Sequence, residues 1–288
     1  MSANKKILEV NNMHTAFRIK DDYYDAVDDV SFELYENEVL AMVGESGCGK
    51  STLATTIMGL HNMNYTQISG EVIYNGENIL NYTEAQFNEL RGGEIGMIFQ
   101  DPLASLNPLM RIGEQIEEAL LYHTDLDKKQ REKKAVDLLK KVGIENAEVI
   151  ARRFPHQLSG GMRQRVIIAI ALSCKPRVLI ADEPTTALDV TIQAQILDLL
   201  KELQNQMNSG IILITHDLGV VAQTADRVCV MYAGQIVEIA TVDELFNNPL
   251  HPYTRSLLNS IPQADTQSDQ LHVIEGMVPS LKDLSRKG

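Results

Sequence analysis

Five short apolar runs without polar interruption dominate the pattern of this chain. They occupy residues 39–43, 95–99, 178–181, 211–214 and 228–231. Unbroken apolar runs of this length are typical of strands that are covered on both faces of a sheet. Helical periodicity separates some of them, and its clearest set is Ile192, Ile196, Leu199, Leu200 and Leu203, followed by a stop near Ser209-Gly210. The alternation predicts an α/β domain with a largely parallel sheet.

A helical pattern replaces the strand pattern between residues 101 and 167. Ala135, Leu138, Leu139 and Val142 fall on one face there, and Gly143 supplies a C-terminal stop. We therefore expect a helical subdomain inserted between two strands of the main sheet. The segment from residue 247 is punctuated by proline and then becomes polar, which predicts a domain over 1–246 and a small extension over 247–288, weakly ordered at its end.

The residues after the first apolar run match the phosphate-binding pattern GxxxxGK[ST]. Glycines in such a loop let backbone N–H groups point inward, and the helix beginning near Lys50 adds its positive dipole end. Lys50 is expected to reach the β- and γ-phosphates, and the Ser51 hydroxyl to ligate Mg²⁺. The residues predicted to contact the nucleotide are Gly44, Glu45, Ser46, Gly47, Cys48, Gly49, Lys50, Ser51 and Thr52.

Cysteine usage adds one hypothesis about this loop. Cys48, Cys174 and Cys229 form no CxxC pair and leave an odd number for disulfides, which favours a reducing compartment. Cys48 lies within the loop, where N–H dipoles and Lys50 are expected to favour its thiolate. Alkylation of this thiol should therefore inhibit hydrolysis, and bound ATP should protect it.

Two further segments complement the loop. The apolar run 178–181 ends on Asp182, a candidate Mg²⁺ ligand, and on Glu183, a candidate acceptor of a proton from attacking water. Ser159 is expected to act as a cap, with Gly160 and Gly161, before a long apolar helix over 166–172, whose N-terminus makes a second anion site. This turn has no lysine and no metal ligand, so it should complement a phosphate that is held elsewhere.

These segments, in this order, resemble those of the ABC transporter ATPases. The resemblance covers nearly the whole chain and implies a P-loop NTPase (RecA-like) core sheet with an inserted α-helical subdomain and an N-terminal antiparallel β region. It adds Gln100 as a catalytic residue and Mg²⁺ ligand, and His216 as a partner of the γ-phosphate. The matching segments are Leu158-Ser159-Gly160-Gly161-Met162, Gln100, Ala187-Leu188-Asp189, His216, and Tyr24 or Tyr23 as the aromatic residue that stacks on adenine.

The resemblance also implies an assembly. Two such ATPases dimerise head to tail, so that the turn at Ser159, Gly160 and Gly161 acts on the ATP held by the partner's loop. The segment 155–157 is similar to that of importer ATPases, and Met162 together with the segments 101–108 and 251–258 looks like those of oligopeptide and dipeptide permease ATPases. A member of that group pairs with a second homologous ATPase and two transmembrane permease subunits, with an extracellular peptide-binding protein as an indirect partner.

Composition narrows the remaining alternatives. The formal net charge of -13 disfavours nucleic acid as a partner, and no apolar run approaches the ~18 residues that span a bilayer. We expect a peripheral protein at the cytoplasmic face of the cell membrane, without an iron–sulfur cluster because no cysteine follows Cys229. A nickel or metal-chelate importer ATPase stays open as an alternative, and a soluble ABC ATPase acting on nucleic acid or ribosomes is a distant one. A P-loop GTPase or small-molecule kinase would leave Ser159–Gly161 and His216 unexplained.

Overall fold

A computed structural model describes residues 5–185 and 190–260. The strands of this part, in chain order, are β1 (Lys6–Ile19), β2 (Asp22–Tyr35), β3 (Val39–Val43), β4 (Thr66–Tyr74), β5 (Glu77–Asn78), β6 (Ile95–Ile98), β7 (Val178–Asp182), β8 (Gly210–Ile214), β9 (Arg227–Tyr232) and β10 (Gln235–Thr241). Its α-helices are α1 (Lys50–Ile57), α2 (Glu84–Leu90), α3 (Pro102–Ser105), α4 (Ile112–His123), α5 (Lys128–Lys141), α6 (Ala147–Ile150), α7 (Gly160–Ala171), α8 (Val190–Met207), α9 (Leu218–Thr224), α10 (Val242–Asn247) and α11 (Pro252–Asn259). The α/β class predicted from the apolar runs is confirmed.

The chain divides into two compact units, each of which is described by itself. The first unit consists of the residues up to 81 and those from 212 onward, and the second consists of residues 82–211. None of the helices in the described part of the chain is long and apolar enough to span a lipid bilayer.

Two sets of strands organise the first unit. An antiparallel sheet has the order β2-β1-β4-β5, and it forms the N-terminal β region that the sequence led us to expect. In the second set, β9 lies between β10 and β3, with antiparallel pairing to β10 and parallel pairing to β3. β3 is buried at all five positions, as its apolar run predicts. Val43, Val221, Val230 and Tyr253 belong to one core cluster, which places the start of α11 in the interior of this unit.

The second unit combines a parallel strand pair with helices. β6 pairs with β7 in a register that places Ile98 beside Ala181. The strand ends at Ile98, one residue earlier than the apolar run 95–99 predicts, and Phe99 is exposed.

Helix α5 follows the predicted periodicity. Asp127 caps it by accepting the Gln130 N–H, and its buried face contains the predicted residues Ala135, Leu138 and Leu139. Beyond its end, Gly143 adopts a positive φ of 73°, which fits its expected role as a stop signal. The extent of the inserted subdomain, 101–167, stays a prediction.

Candidate functional site

The phosphate-loop segment joins β3 to α1 in the first unit. Its glycines are required by close backbone contacts, because a Cβ at Gly44 would lie 2.2 Å from the Met231 carbonyl oxygen. A Cβ at Gly49 would lie 2.5 Å from the carbonyl oxygen of Ala26. Both glycines also have positive φ, 154° and 107°, which side-chain-bearing residues rarely adopt. The loop is thus pressed against neighbouring backbone, and only glycine fits at these two positions.

The Lys50 side chain turns back into this loop. It is only 6% exposed. Its Nζ donates to the carbonyl oxygens of Gly44, at 2.8 Å, and Glu45, at 2.9 Å. These carbonyls fix the position of the ammonium group at the start of α1, where the helix dipole adds further positive potential. The predicted anion-binding character of the loop therefore has a defined source of charge.

The structure contradicts the expected activation of Cys48. Its Sγ lies 3.5 Å from Lys50 Nζ, which does favour the thiolate. The residue is only 1% exposed, however, and burial raises the pKa of the thiol more than Lys50 lowers it. The prediction of a favoured thiolate is wrong because the sequence shows the nearby lysine but not the depth of burial.

Two predicted catalytic residues contact each other in the second unit. Since Ile98 pairs with Ala181 in parallel strands, the segments that follow β6 and β7 begin side by side. The Gln100 Nε2 donates to Glu183 Oε2 at 2.9 Å. Asp182, the last residue of β7, is 4% exposed, whereas Glu183 is half-buried and has a φ of 46°. A positive φ at a glutamate is uncommon and marks the exit of β7 as a strained position.

The turn at residues 158–161 begins helix α7 in the same unit. Ser159 caps the helix, and its Oγ accepts the Met162 N–H at 3.3 Å. Ser159 and Gly160 are exposed, and a Cβ added at Gly160 would meet no atom within 4 Å. The start of this helix is therefore open to an approaching group, as the predicted second anion site requires.

Sequence reasoning missed a link between this turn and the exit of β7. The buried Gln164 side chain, one turn into α7, donates from its Nε2 to the Pro184 carbonyl oxygen at 2.6 Å. Pro184 directly follows Glu183. No sequence signal marks this contact, because Gln164 stands between Arg163 and Arg165 and only the folded chain shows that its side chain is buried and needs a hydrogen-bond partner.

His216, Tyr23 and Tyr24 lie in the first unit. His216 is exposed after β8, and Asp217 next to it caps α9. Tyr24 is half-buried in β2, paired with Phe17, and the neighbouring Tyr23 is exposed. The segment 187–189 lies outside the described residues, as does the part of the extension beyond residue 260.

The residues that could hold a metal ion are all oxygen donors. They are the hydroxyl of Ser51, the amide oxygen of Gln100 and the carboxylate of Asp182. Ser51 lies in the first unit, and Gln100 and Asp182 lie in the second, so each is considered by itself. Each offers an oxygen atom, the ligand type that Mg²⁺ prefers. Within residues 5–185 and 190–260, no three His, Cys, Asp or Glu side chains gather into a metal-type cluster.

A second unforeseen contact involves the C-terminal helix. The Tyr253 phenol oxygen accepts the backbone N–H of Glu45, in the phosphate loop, at 3.1 Å. The two residues are 208 positions apart in sequence. The sequence motif at residues 251–258 does not by itself predict this contact.

Comparison with known proteins gives consistent matches. Residues 27–186 match the sequence model of the ABC transporter family, and residues 237–288 match that of the oligopeptide/dipeptide transporter C-terminal region. The chain is 57% identical to the oligopeptide transport ATP-binding protein OppD of Lactococcus lactis subsp. cremoris (strain SK11), over 98% of this chain and 83% of the relative. It is 54% identical to the oligopeptide transport ATP-binding protein AppD of Bacillus subtilis (strain 168), over 96% of this chain and 85% of the relative.

The fold is also similar to that of solved structures. One is a dimeric ATP-binding cassette in a post-hydrolysis state, bound to ADP and Pi. The similarity has a TM-score of 0.75 at 28% identity, and it covers 82% of this chain and 99% of the other. The P-loop NTPase fold expected from the motifs is confirmed by this match.

Proposed function

We propose that this chain, which belongs to the ABC transporter family, is the ATP-hydrolysing subunit of an importer of oligopeptides or dipeptides. The observation that carries the proposal is the presence of two family matches in one chain. The first covers the ATPase motifs, and the second covers a C-terminal region typical of peptide transporters. Two relatives, which are 57% and 54% identical to this chain, are named for oligopeptide transport.

ATP is held by the phosphate loop at Gly44–Thr52. Inward N–H groups and the α1 dipole favour the phosphates, and Lys50 supplies a charge within reach of the β- and γ-phosphates. Tyr24 stacks on the adenine. Ser51, Gln100 and Asp182 would hold Mg²⁺, which neutralises charge on the phosphate oxygens when bound.

Hydrolysis requires a group that takes a proton from water. Glu183 fits this role, because a carboxylate at the end of β7 can accept that proton. The amide of Gln100, which donates to Glu183, fixes the direction of the carboxylate. His216 hydrogen-bonds the γ-phosphate and helps to orient the water.

The complete site needs a second subunit. Ser159 and Gly160 are exposed at the start of α7, and the turn at Ser159, Gly160 and Gly161 carries no lysine, which suits action on a phosphate held by another molecule. A related cassette is dimeric in a post-hydrolysis state. We infer a head-to-tail dimer with a homologous ATPase, docked on two permease subunits at the cytoplasmic face of the membrane.

ATP couples to transport through differential binding. A closed dimer that binds ATP more tightly than the open one is favoured by ATP and released by hydrolysis. This change of state drives alternating access in the permease, while the peptide reaches the permease from an extracellular binding protein.

The test is substrate-stimulated ATP turnover by the assembled transporter in lipid vesicles. Peptide with its binding protein should raise turnover, and Lys50→Ala should abolish the increase. Lys129→Ala, which removes an exposed lysine on α5, serves as the matched control and should behave as the wild type. Stimulation by a nickel chelate, but by no peptide, would refute the proposed substrate.

A further inference from the structure

Helix α11 reaches the phosphate loop through one side chain. Tyr253, the second residue of the helix, is 9% exposed and lies in the core cluster of the first unit. Its phenol oxygen accepts the Glu45 N–H at 3.1 Å. The C-terminal region of the chain thus contributes a direct hydrogen bond to the loop.

The hydrogen bond falls on a peptide group with a second function. The Glu45 N–H and the Gly44 carbonyl belong to the same planar peptide unit and point in opposite directions. The Gly44 carbonyl accepts Lys50 Nζ at 2.8 Å. The phenol, the peptide and the ammonium group therefore form one chain of hydrogen bonds, in which the charged end polarises the peptide and strengthens its other bond.

The start of α11 is itself firmly held. The Glu238 carboxylate accepts the N–H groups of Leu250, at 2.8 Å, and His251, at 2.9 Å. The His251 Nδ1 caps the helix by accepting the Tyr253 N–H at 3.1 Å. The Tyr232 ring packs against Tyr253 with 4.6 Å between ring centroids. Each neighbour limits the freedom of the phenol, so its oxygen has a defined position under the loop.

We propose that Tyr253 is a positioning residue for nucleotide binding: its phenol oxygen fixes the Gly44–Glu45 peptide and thereby holds Lys50 where it meets the phosphates. The inference rests on the proposed role of the loop in binding ATP. It assigns a role to each residue of His251-Pro252-Tyr253, because His251 caps the helix, Pro252 occupies its first position and Tyr253 reaches the loop.

The chemistry of the phenol suits this role. Burial raises the pKa of Tyr253 to about 12. The hydroxyl therefore stays protonated at neutral pH and adds no negative charge next to the phosphates.

The experiment measures nucleotide affinity of the full chain with trinitrophenyl-ATP and trinitrophenyl-AMP. Tyr253→Phe keeps the ring packed on Tyr232 and deletes only the acceptor. We expect it to weaken trinitrophenyl-ATP binding about fivefold, the effect of one ordinary hydrogen bond, and to leave trinitrophenyl-AMP binding within twofold. In the assembled transporter, the KM for ATP should rise by a similar factor while kcat stays within twofold.

Two further variants complete the design. Tyr232→Phe removes a hydroxyl from the adjacent ring and should bind both probes as the wild type does. His251→Ala removes the cap of α11 without touching the loop, and it should weaken trinitrophenyl-ATP binding in the same direction by a smaller factor. This second route tests the proposal independently of Tyr253→Phe.

The outcomes separate this inference from the proposed function. If Lys50→Ala binds trinitrophenyl-ATP as the wild type does, the loop is not the phosphate site and the proposed function itself fails. If Lys50→Ala loses binding while Tyr253→Phe does not, only the role of Tyr253 is overturned. An equal loss of both probes in Tyr253→Phe, or the same loss in Tyr232→Phe, would also overturn it, because it would show a general packing effect.

Discussion

The backbone at Glu183 leads to a stability prediction with an unusual sign. At an ordinary position, glycine makes a protein less stable than alanine by about 0.5–1 kcal/mol, since glycine loses more conformational freedom on folding. Glu183 has a φ of 46°, where a Cβ costs roughly 1–2 kcal/mol. The order should therefore reverse, and Glu183→Gly should be more stable than Glu183→Ala by about 1 kcal/mol.

The comparison of these two variants isolates the backbone contribution. Neither variant can accept the hydrogen bond from Gln100, so the loss of that bond cancels between them. For a chain of this size, about 1 kcal/mol corresponds to a difference of roughly 1.5–2 °C in the midpoint of thermal unfolding. Both variants lack the carboxylate, and turnover in the assembled transporter should fall about 10²–10⁴-fold in each, as for Glu183→Gln.

The assay is thermal unfolding of the purified variants at matched concentrations, followed by ATP turnover after assembly. A higher unfolding midpoint for Glu183→Gly than for Glu183→Ala, together with lost turnover, would show that the backbone at residue 183 is strained and that turnover requires the carboxylate there. A midpoint for Glu183→Ala equal to or above that of Glu183→Gly would refute the strain argument. Full turnover by Glu183→Gln would refute the role of Glu183 as base.

Three other predictions concern burial, reactivity and assembly. Arg227→Met removes the partner at 2.9 Å from buried Glu38 and should destabilise the chain by about 3 kcal/mol at pH 8, seen in thermal unfolding. Burial raises the pKa of Glu38, so its folded-state pKa lies above the unfolded value and its stability contribution is lost as pH rises. The loss of stability in Arg227→Met should therefore be smaller at pH 5 than at pH 8. A loss that does not change with pH would contradict this. Because burial also raises the pKa of Cys48, iodoacetamide should label this thiol slowly at pH 7 and faster at higher pH, and ATP should slow the reaction. Rapid labelling at pH 7, measured by mass spectrometry, would contradict this prediction. Ser159→Arg should block turnover of the ATP held by the partner ATPase in the assembled transporter but leave the ATP affinity of the isolated chain unchanged. Weakened affinity of the isolated chain would count against action on a partner's nucleotide.

The sequence was most informative where a pattern is local. The loop Gly44–Thr52 could be located because GxxxxGK[ST] and the preceding apolar strand are contiguous. Gln100 and Glu183 could each be named from their motifs, but their contact depends on the register of β6 with β7, which no local pattern specifies. The same limit applies to Tyr253, whose partner in the loop is brought to it only by the packing of the first unit.

Burial was the other quantity that the sequence could not supply. Lys50 next to Cys48 suggested a stabilised thiolate, but the pKa depends on the balance between desolvation and charge, and desolvation is a property of the folded chain. Two further features cannot be predicted from the sequence. The positive φ of Glu183 occurs at a residue type that gives no warning of it, and the bond from Gln164 to Pro184 joins segments 20 residues apart.

That bond from Gln164 gives the second unit a mechanical property. In the proposed head-to-tail pair, the first turn of α7 serves the nucleotide of the neighbour, while the peptide after Glu183 serves the nucleotide of its own subunit. The hydrogen bond from the Gln164 amide to the Pro184 carbonyl oxygen joins these two segments within one chain. We therefore expect a displacement at one active site of the proposed pair to shift the other through the Gln164 side chain, so that the two bound ATP molecules influence each other.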